Sequence, residues 1–86
     1  MPHRLRITAS ALKDIERLPA RTAERVRGAC RDLAGDPRPS GAAILRGGDV
    51  YRIRIGDYGV LYDVDDAERI VTVLRVRHRR DAYRDP

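Results

Sequence analysis

The strongest constraint on this chain is the alternation in Tyr51-Arg52-Ile53-Arg54-Ile55, followed at once by Gly56-Asp57 and a second run from Tyr58 to Val64. Side chains of a strand point alternately to opposite faces, so Tyr51, Ile53 and Ile55 share one face and Arg52 and Arg54 share the other. A Gly-Asp link between two such runs predicts a tight hairpin. Asp65-Asp66-Ala67-Glu68 supplies a second turn, and Arg69 to Arg77 forms the longest predicted strand. A meander with one apolar face and one charged face has to bury the apolar one against another layer.

The N-terminal half provides that layer. His3 to Ile7 alternates and predicts a short strand with Leu5 and Ile7 turned to a core. Thr8 or Ser10 can then cap a helix by accepting from its first-turn amides. Ala11, Leu12, Ile15 and Leu18 form its apolar stripe, and Pro19 ends it because the residue before a proline resists the α conformation. A second helix is predicted from about Ala20 to Ala34, with Ala23, Val26, Cys30 and Leu33 on one face. Gly35-Asp36-Pro37 is a strong stop, and the segment to Ala43 reads as a surface loop. The order β-α-α-β-β-β predicts an α+β domain, a helical hairpin packed on one face of a mainly antiparallel four-stranded sheet. With 86 residues there is room for one modest core, so residues 1–86 are expected to form a single domain.

Eighteen basic residues stand against thirteen acidic ones, for a formal charge of +5, and all but one of the basic residues are arginine. That balance favours an anionic partner, nucleic acid or an acidic protein. Cys30 is the only cysteine, which excludes an intrachain disulfide and a cysteine-based zinc site. Its place in a helical apolar stripe makes it a core residue. No apolar run approaches the roughly 20 residues of a membrane span, and the N-terminus lacks the apolar segment of a signal peptide. The expectation is a soluble, cytoplasmic protein with no membrane contact.

In the last strand, strict alternation puts Ile70, Thr72, Leu74 and Val76 on one face and Val71, Val73, Arg75, Arg77 and Arg79 on the other. Taking the first set as core places the second on the open face beside Arg52 and Arg54. Converging guanidinium forks suit phosphate, which they bind in bidentate fashion. Parity alone is equally compatible with arginines that decorate a solvated sheet. Interleaved tyrosines add surfaces for bases to stack on. Tyr51 and Tyr58 read as core or rim residues, and Tyr83, just after Arg77-His78-Arg79-Arg80, is the better stacking candidate.

The element order, the ALKDIERLP helix ending, the central YRIRIGDYGVLYDVDD and the terminal VLRVRHRRDAYR together resemble the RelE/ParE superfamily of bacterial toxins, and within it the RelE branch. The resemblance spans nearly the whole chain. It implies a toxin of a type II toxin-antitoxin system, a ribosome-dependent endoribonuclease that cleaves mRNA in the A site and inhibits translation. It further implies inhibition by a cognate antitoxin, through which operator DNA is contacted. The implied reaction is attack of a ribose 2′-hydroxyl on the adjacent phosphodiester, with no metal and no cofactor. Arg52 and Arg54 match the two basic positions of the central strand, and Arg79 the basic residue after the last strand. Tyr83 matches the C-terminal tyrosine that stacks on or helps activate the substrate nucleotide. Arg75, Arg77 and Arg80 are expected to bind RNA.

Two points stand apart from the family pattern. Arginine is effectively always protonated and makes a poor general base. His78, of a residue type with an unperturbed pKa of about 6.5, is a candidate base or an RNA contact. The branch usually carries an arginine where this chain has Gly59. Its loss predicts an attenuated nuclease, and it keeps two alternatives open: a ParE-like gyrase poison, or a catalytically inactive homologue that binds antitoxin. Leu61, Val71 and Val73 beside the arginines are expected to offer the antitoxin an apolar strip.

Overall fold

The structure, a computed structural model, describes residues 2–45 and 50–82. The elements are β1 (Arg4–Ile7), α1 (Ala9–Glu16), α2 (Ala20–Gly35), β2 (Ala43–Ile44), β3 (Tyr51–Ile55), β4 (Tyr58–Asp65), β5 (Ile70–His78) and α3 (Arg79–Ala82). The sheet has the order β1-β5-β4-β3-β2. It therefore has five strands where four were expected, because the loop before Tyr51 contributes the two-residue β2. β1 runs parallel to β5, and the remaining neighbours are antiparallel.

The helices form for the expected reasons. Thr8 is the N-cap of α1: its hydroxyl oxygen accepts from the Ala11 N–H at 3.1 Å. The chain leaves α1 at Arg17, two residues before Pro19, and α2 begins at Ala20. Ala11 and Ile15 from α1, and Ala23, Val26, Cys30 and Leu33 from α2, meet Ile53, Val60, Tyr62, Val71, Val73 and Val76 of the sheet in one buried cluster. Leu5, Ile7, Leu18, Tyr51, Ile55 and Tyr58 pack around its edge.

The parity of β5 corrects the sequence reading. Val71 and Val73 are fully buried, while Ile70, Thr72 and Leu74 are half-buried. The cause is a bulge: Leu61 of β4 pairs with Arg75 while its neighbour Tyr62 pairs with Val73, which leaves Leu74 as the extra residue. Alternation holds on each side of the bulge and breaks across it. Val71 and Val73 are thus core residues and offer nothing to a partner, whereas Leu61 remains half-buried.

α1 grips this irregular stretch. The Thr8 hydroxyl donates to the Leu74 carbonyl at 2.9 Å, and the Thr8 N–H donates to the Val73 carbonyl at 3.0 Å. Nearly two turns further on, an Asp14 carboxylate oxygen accepts from the Val76 N–H at 2.9 Å and from Arg75 Nε at 2.8 Å. β1 pairs with β5 only as far as Val73, so Asp14 satisfies an edge amide that no strand reaches. Burial, the largest single influence, would raise the Asp14 pKa. The hydrogen bonds from Arg75 and Val76 and the charges of Arg75 and Arg77 outweigh it and hold the carboxyl below its usual 3.8.

At the far end of the sheet, Tyr62 stacks on Tyr51 with ring centroids 5.5 Å apart and donates its O–H to the Pro37 carbonyl at 2.7 Å. Arg38 donates to Tyr51 Oη and, through both terminal nitrogens, to the Asp66 carboxylate. These contacts fasten the loop after α2 across the strands, and they leave the opposite end of the sheet to the arginines.

Candidate functional site

The hairpin between β3 and β4 builds the floor of the site. Gly56 carries a φ of 60°, the left-handed conformation that a two-residue hairpin link demands of its first residue and that glycine adopts without steric cost. Across the ladder, Arg54 faces Gly59 and Gly59 faces Arg77, while in the next row Arg52 faces Leu61. The hairpin is tied to the C-terminal segment where the Arg79 N–H donates to the Asp57 carbonyl at 2.7 Å. The Arg79 side chain follows, with Nη1 3.8 Å from Asp57 Oδ1 in a loose, exposed pair.

Arg52, Arg54, Gly56, Tyr58, Gly59 and Arg79 consequently line one small cleft, with Asp57 at its rim. Three of the four arginine and tyrosine positions expected to act together are brought together here: Arg52, Arg54 and Arg79. Tyr83 lies outside the described residues. Arg54 and Arg79 are exposed, and Arg52 is half-buried.

Gly59 is buried beneath Arg52. A Cβ placed on it would stand 3.4 Å from Cδ and 3.5 Å from Cγ of Arg52, so the stem of Arg52 lies over the space that a side chain at residue 59 would enter. The Arg52 Nε is buried and has no hydrogen-bond partner among the described residues. A buried donor without an acceptor is costly.

The remaining candidates occupy a second, wider groove on the other side of Tyr58. Arg75, Arg77 and His78 line it with Arg17, Leu18, Asp14 and Asp81. Arg75 is engaged with Asp14 through Nε and Nη2, at 2.8 and 3.2 Å. The His78 ring meets Tyr58 edge-on, with centroids 5.2 Å apart and an interplanar angle of 86°. Its Nδ1 accepts from the Arg80 N–H at 3.2 Å. That bond assigns the ring proton to Nε2 in the neutral form, so the imidazole is arranged as a donor and its basic lone pair is occupied. Arg80 itself is exposed on α3.

Reading the sequence overlooked Asp14, Arg17 and Asp57. Asp14 carried a legible signal, since with Ala11, Ile15 and Leu18 it completes an i, i+3, i+4, i+7 stripe in which an acid is out of place. Asp57 carried none beyond its turn chemistry. Among the described residues, no three His, Cys, Asp or Glu side chains group as a metal ion would require, and no helix is long and apolar enough to cross a membrane.

Comparison with known proteins gives a consistent answer. A family model described as the ParE toxin of the type II toxin-antitoxin system parDE matches residues 5–83. Toxin RelG of Mycobacterium tuberculosis is 38% identical over 86 residues, covering 98% of this chain and 99% of its own. Toxin RelE of the same bacterium is 32% identical, covering 96% of this chain and 88% of its own. Among solved structures, a chain of the RelBE2 toxin-antitoxin complex of Mycobacterium tuberculosis is similar with a TM-score of 0.81 and 32% identity, over 91% of this chain and 99% of that one. A chain of the archaeal RelE-RelB complex of Pyrococcus horikoshii is similar with a TM-score of 0.82 and 29% identity, over 92% and 97%.

Proposed function

The chain belongs to the ParE toxin family of type II toxin-antitoxin systems, within the RelE/ParE superfamily, and on that premise we propose that it is a cytoplasmic, ribosome-dependent endoribonuclease that cleaves mRNA in the A site. The observation that carries this reading is the cleft that Arg52, Arg54 and Arg79 line together. Attack of a ribose 2′-oxygen on the neighbouring phosphorus forms one P–O bond and breaks the bond to the 5′-oxygen. The products are a 2′,3′-cyclic phosphate and a 5′-hydroxyl, and negative charge builds on the phosphoryl oxygens between them. Preorganised guanidinium groups stabilise that charge, an effect of about two to three powers of ten per donor in comparable sites.

Proton movement is the weaker half of this constellation. The arginines cannot accept the 2′-proton. His78 faces the neighbouring groove with its Nδ1 already bonded, which suits RNA contact better than base catalysis. Tyr83 or a ribosomal group takes the 2′-proton in this reading, the leaving 5′-oxygen takes a proton from water, and the need for the ribosome follows from that deficit. Gly59 removes one further positive group from the cleft, and the nuclease is accordingly attenuated.

Relatives of known structure are held in complexes with RelB antitoxins. By likeness this chain binds a cognate antitoxin, and operator DNA only through it. The half-buried Leu61 between Arg52 and Arg75 offers such a partner one apolar contact among charges.

A second reading, a gyrase poison, is favoured by Gly59 and by the description of the matching family model. Expressing the chain without antitoxin separates the two. Cleaved mRNA with 5′-hydroxyl ends supports the nuclease, and gyrase-DNA breaks without such ends support the poison. Neither product would identify an inactive antitoxin-binding homologue.

A further inference from the structure

Tyr58 is a shared wall: its side chain borders the arginine cleft on one side and the groove between α1 and the end of β5 on the other. A single strand of RNA carries a phosphate at every nucleotide, so a strand seated by one phosphate in the cleft must leave along a neighbouring surface. We infer that the groove of Arg17, Arg77 and His78 is a second RNA subsite, which takes the nucleotide next to the cleaved bond, with Arg17 contacting its phosphate. The inference rests on the nuclease reading above and extends it to a residue that the family motif leaves unassigned.

Three features carry it. The first is charge. Arg17, Arg75 and Arg77 line the groove against Asp14 and Asp81; the Arg75–Asp14 pair cancels, and the groove stays net positive. The second is the fixed polarity of His78. With Nδ1 accepting from the Arg80 N–H, Nε2 carries the proton and serves as a donor to a phosphate or base oxygen. The third is the aromatic pair itself. The edge-on His78 holds Tyr58 in place at the boundary, and an aromatic side chain flanked by guanidinium groups is how proteins seat single-stranded bases. Arg17 is well placed to serve. Its backbone N–H donates to the Asp14 carbonyl at 3.2 Å at the end of α1, while its side chain is exposed at the groove. An acidic peptide could exploit the charge but not the aromatic face, so RNA is the better fit.

The test is the salt dependence of binding to a six-nucleotide 2′-O-methyl RNA, which cannot be cleaved by 2′-oxygen attack. For single strands the slope of log K against log[salt] is about −0.7 per phosphate neutralised. Arg17→Gln is expected to make the slope shallower by about 0.7 and to weaken binding at low salt, and Arg17→Lys is expected to restore the slope. Thermal unfolding of each variant reports whether the end of α1 has been disturbed. An Arg17→Gln protein with the wild-type slope overturns the subsite. So does loss of binding to a glutamate-rich peptide with RNA binding unchanged, which would make the groove a protein-docking surface. Cleavage of mRNA on programmed ribosomes, measured separately on the unaltered protein, keeps the two readings apart. Failure to cleave with a shallower Arg17→Gln slope removes the nuclease and leaves the RNA groove; cleavage with an unchanged slope does the reverse.

Discussion

Arg52 rests on Gly59. Its Cγ and Cδ approach to 3.5 and 3.4 Å the point where a Cβ on residue 59 would stand, and Gly59 lies between Arg54 and Arg77 in the ladder. The glycine therefore both omits a charge and makes room for a neighbouring one. Alanine fits there at ordinary contact distance, and removing a mid-strand glycine is worth about 0.5–1 kcal/mol. Gly59→Ala is expected to raise the urea midpoint by the corresponding amount. Gly59→Arg is expected to raise mRNA cleavage on programmed ribosomes by about two powers of ten, at a stability cost of about 0.2–1 kcal/mol from its like-charged cross-strand neighbours. Equal cleavage by the two proteins would sink the attenuation idea.

The arginine cleft makes its own prediction. Arg54→Gln and Arg79→Gln keep much of each side chain's bulk and remove its charge, and both positions are exposed. Each is expected to lower the cleavage rate by about two to three powers of ten and to leave thermal unfolding within about 0.5 kcal/mol of the parent. A rate loss that tracked unfolding instead would assign these arginines to the fold.

Asp14 ties acid stability to the geometry of β5. Its native pKa lies below 3.8, so the folded protein binds fewer protons than the unfolded chain as pH falls past that point. The stabilisation is complete above the unfolded value of about 3.9 and is lost as pH falls through the native one. Asp66 shifts in the same direction, chiefly through its bonds from Arg38 and His3, but on an exposed surface where salt screens it. Asp14→Asn is expected to flatten the fall in urea midpoint between pH 5 and pH 2. Asp14→Ala, which leaves the Val76 N–H without its acceptor, is expected to cost about 1–3 kcal/mol at pH 7. A midpoint unchanged in both variants would refute the edge-capping role.

The core offers an alkaline counterpart. Burial is the main reason the Tyr62 phenol is pushed up to about 12, above its unfolded value of about 10. Stability is therefore full below the unfolded value and lost as pH rises toward the native one. Tyr62→Phe is expected to cost about 0.5–1.5 kcal/mol at pH 7 by deleting the bond to Pro37, and to make unfolding less sensitive between pH 10 and 12. Cys30, pushed up to about 11 by burial, is expected to react with Ellman's reagent only once urea has opened the core. Prompt labelling of the native protein would contradict its burial.

Local chemistry made most of this fold legible. Thr8, Pro19, Gly35-Asp36 and Gly56-Asp57 punctuate the chain where expected, because caps, prolines and two-residue turns act within a few residues. The cleft was legible for the same reason: Arg52 and Arg54 share a face of one strand, and the hairpin determines what lies opposite. The face of Val71 and Val73 was not. An extra residue in a ladder is visible only against its partner strand, and alternation counted back from Arg75 and Arg77 inverts every residue before Leu74. Arg17 escaped notice because its relation to His78 passes through the packing of α1 on β5. No spacing within one element encodes it.

The bulge has one further consequence, concerning how this protein can change over time. Without Leu74, β5 would read Val71, Val73, Val76 and His78 in unbroken alternation, so every buried residue would stay buried and Arg75 would still meet Leu61. What would be lost is the bend that presents the last turn of the strand to Thr8 and Asp14. Leu74 thus separates two stretches of β5, each of which alternates core residues with outward-facing ones. Loss of that one residue would shift the end of β5 against α1 and leave the core's composition untouched.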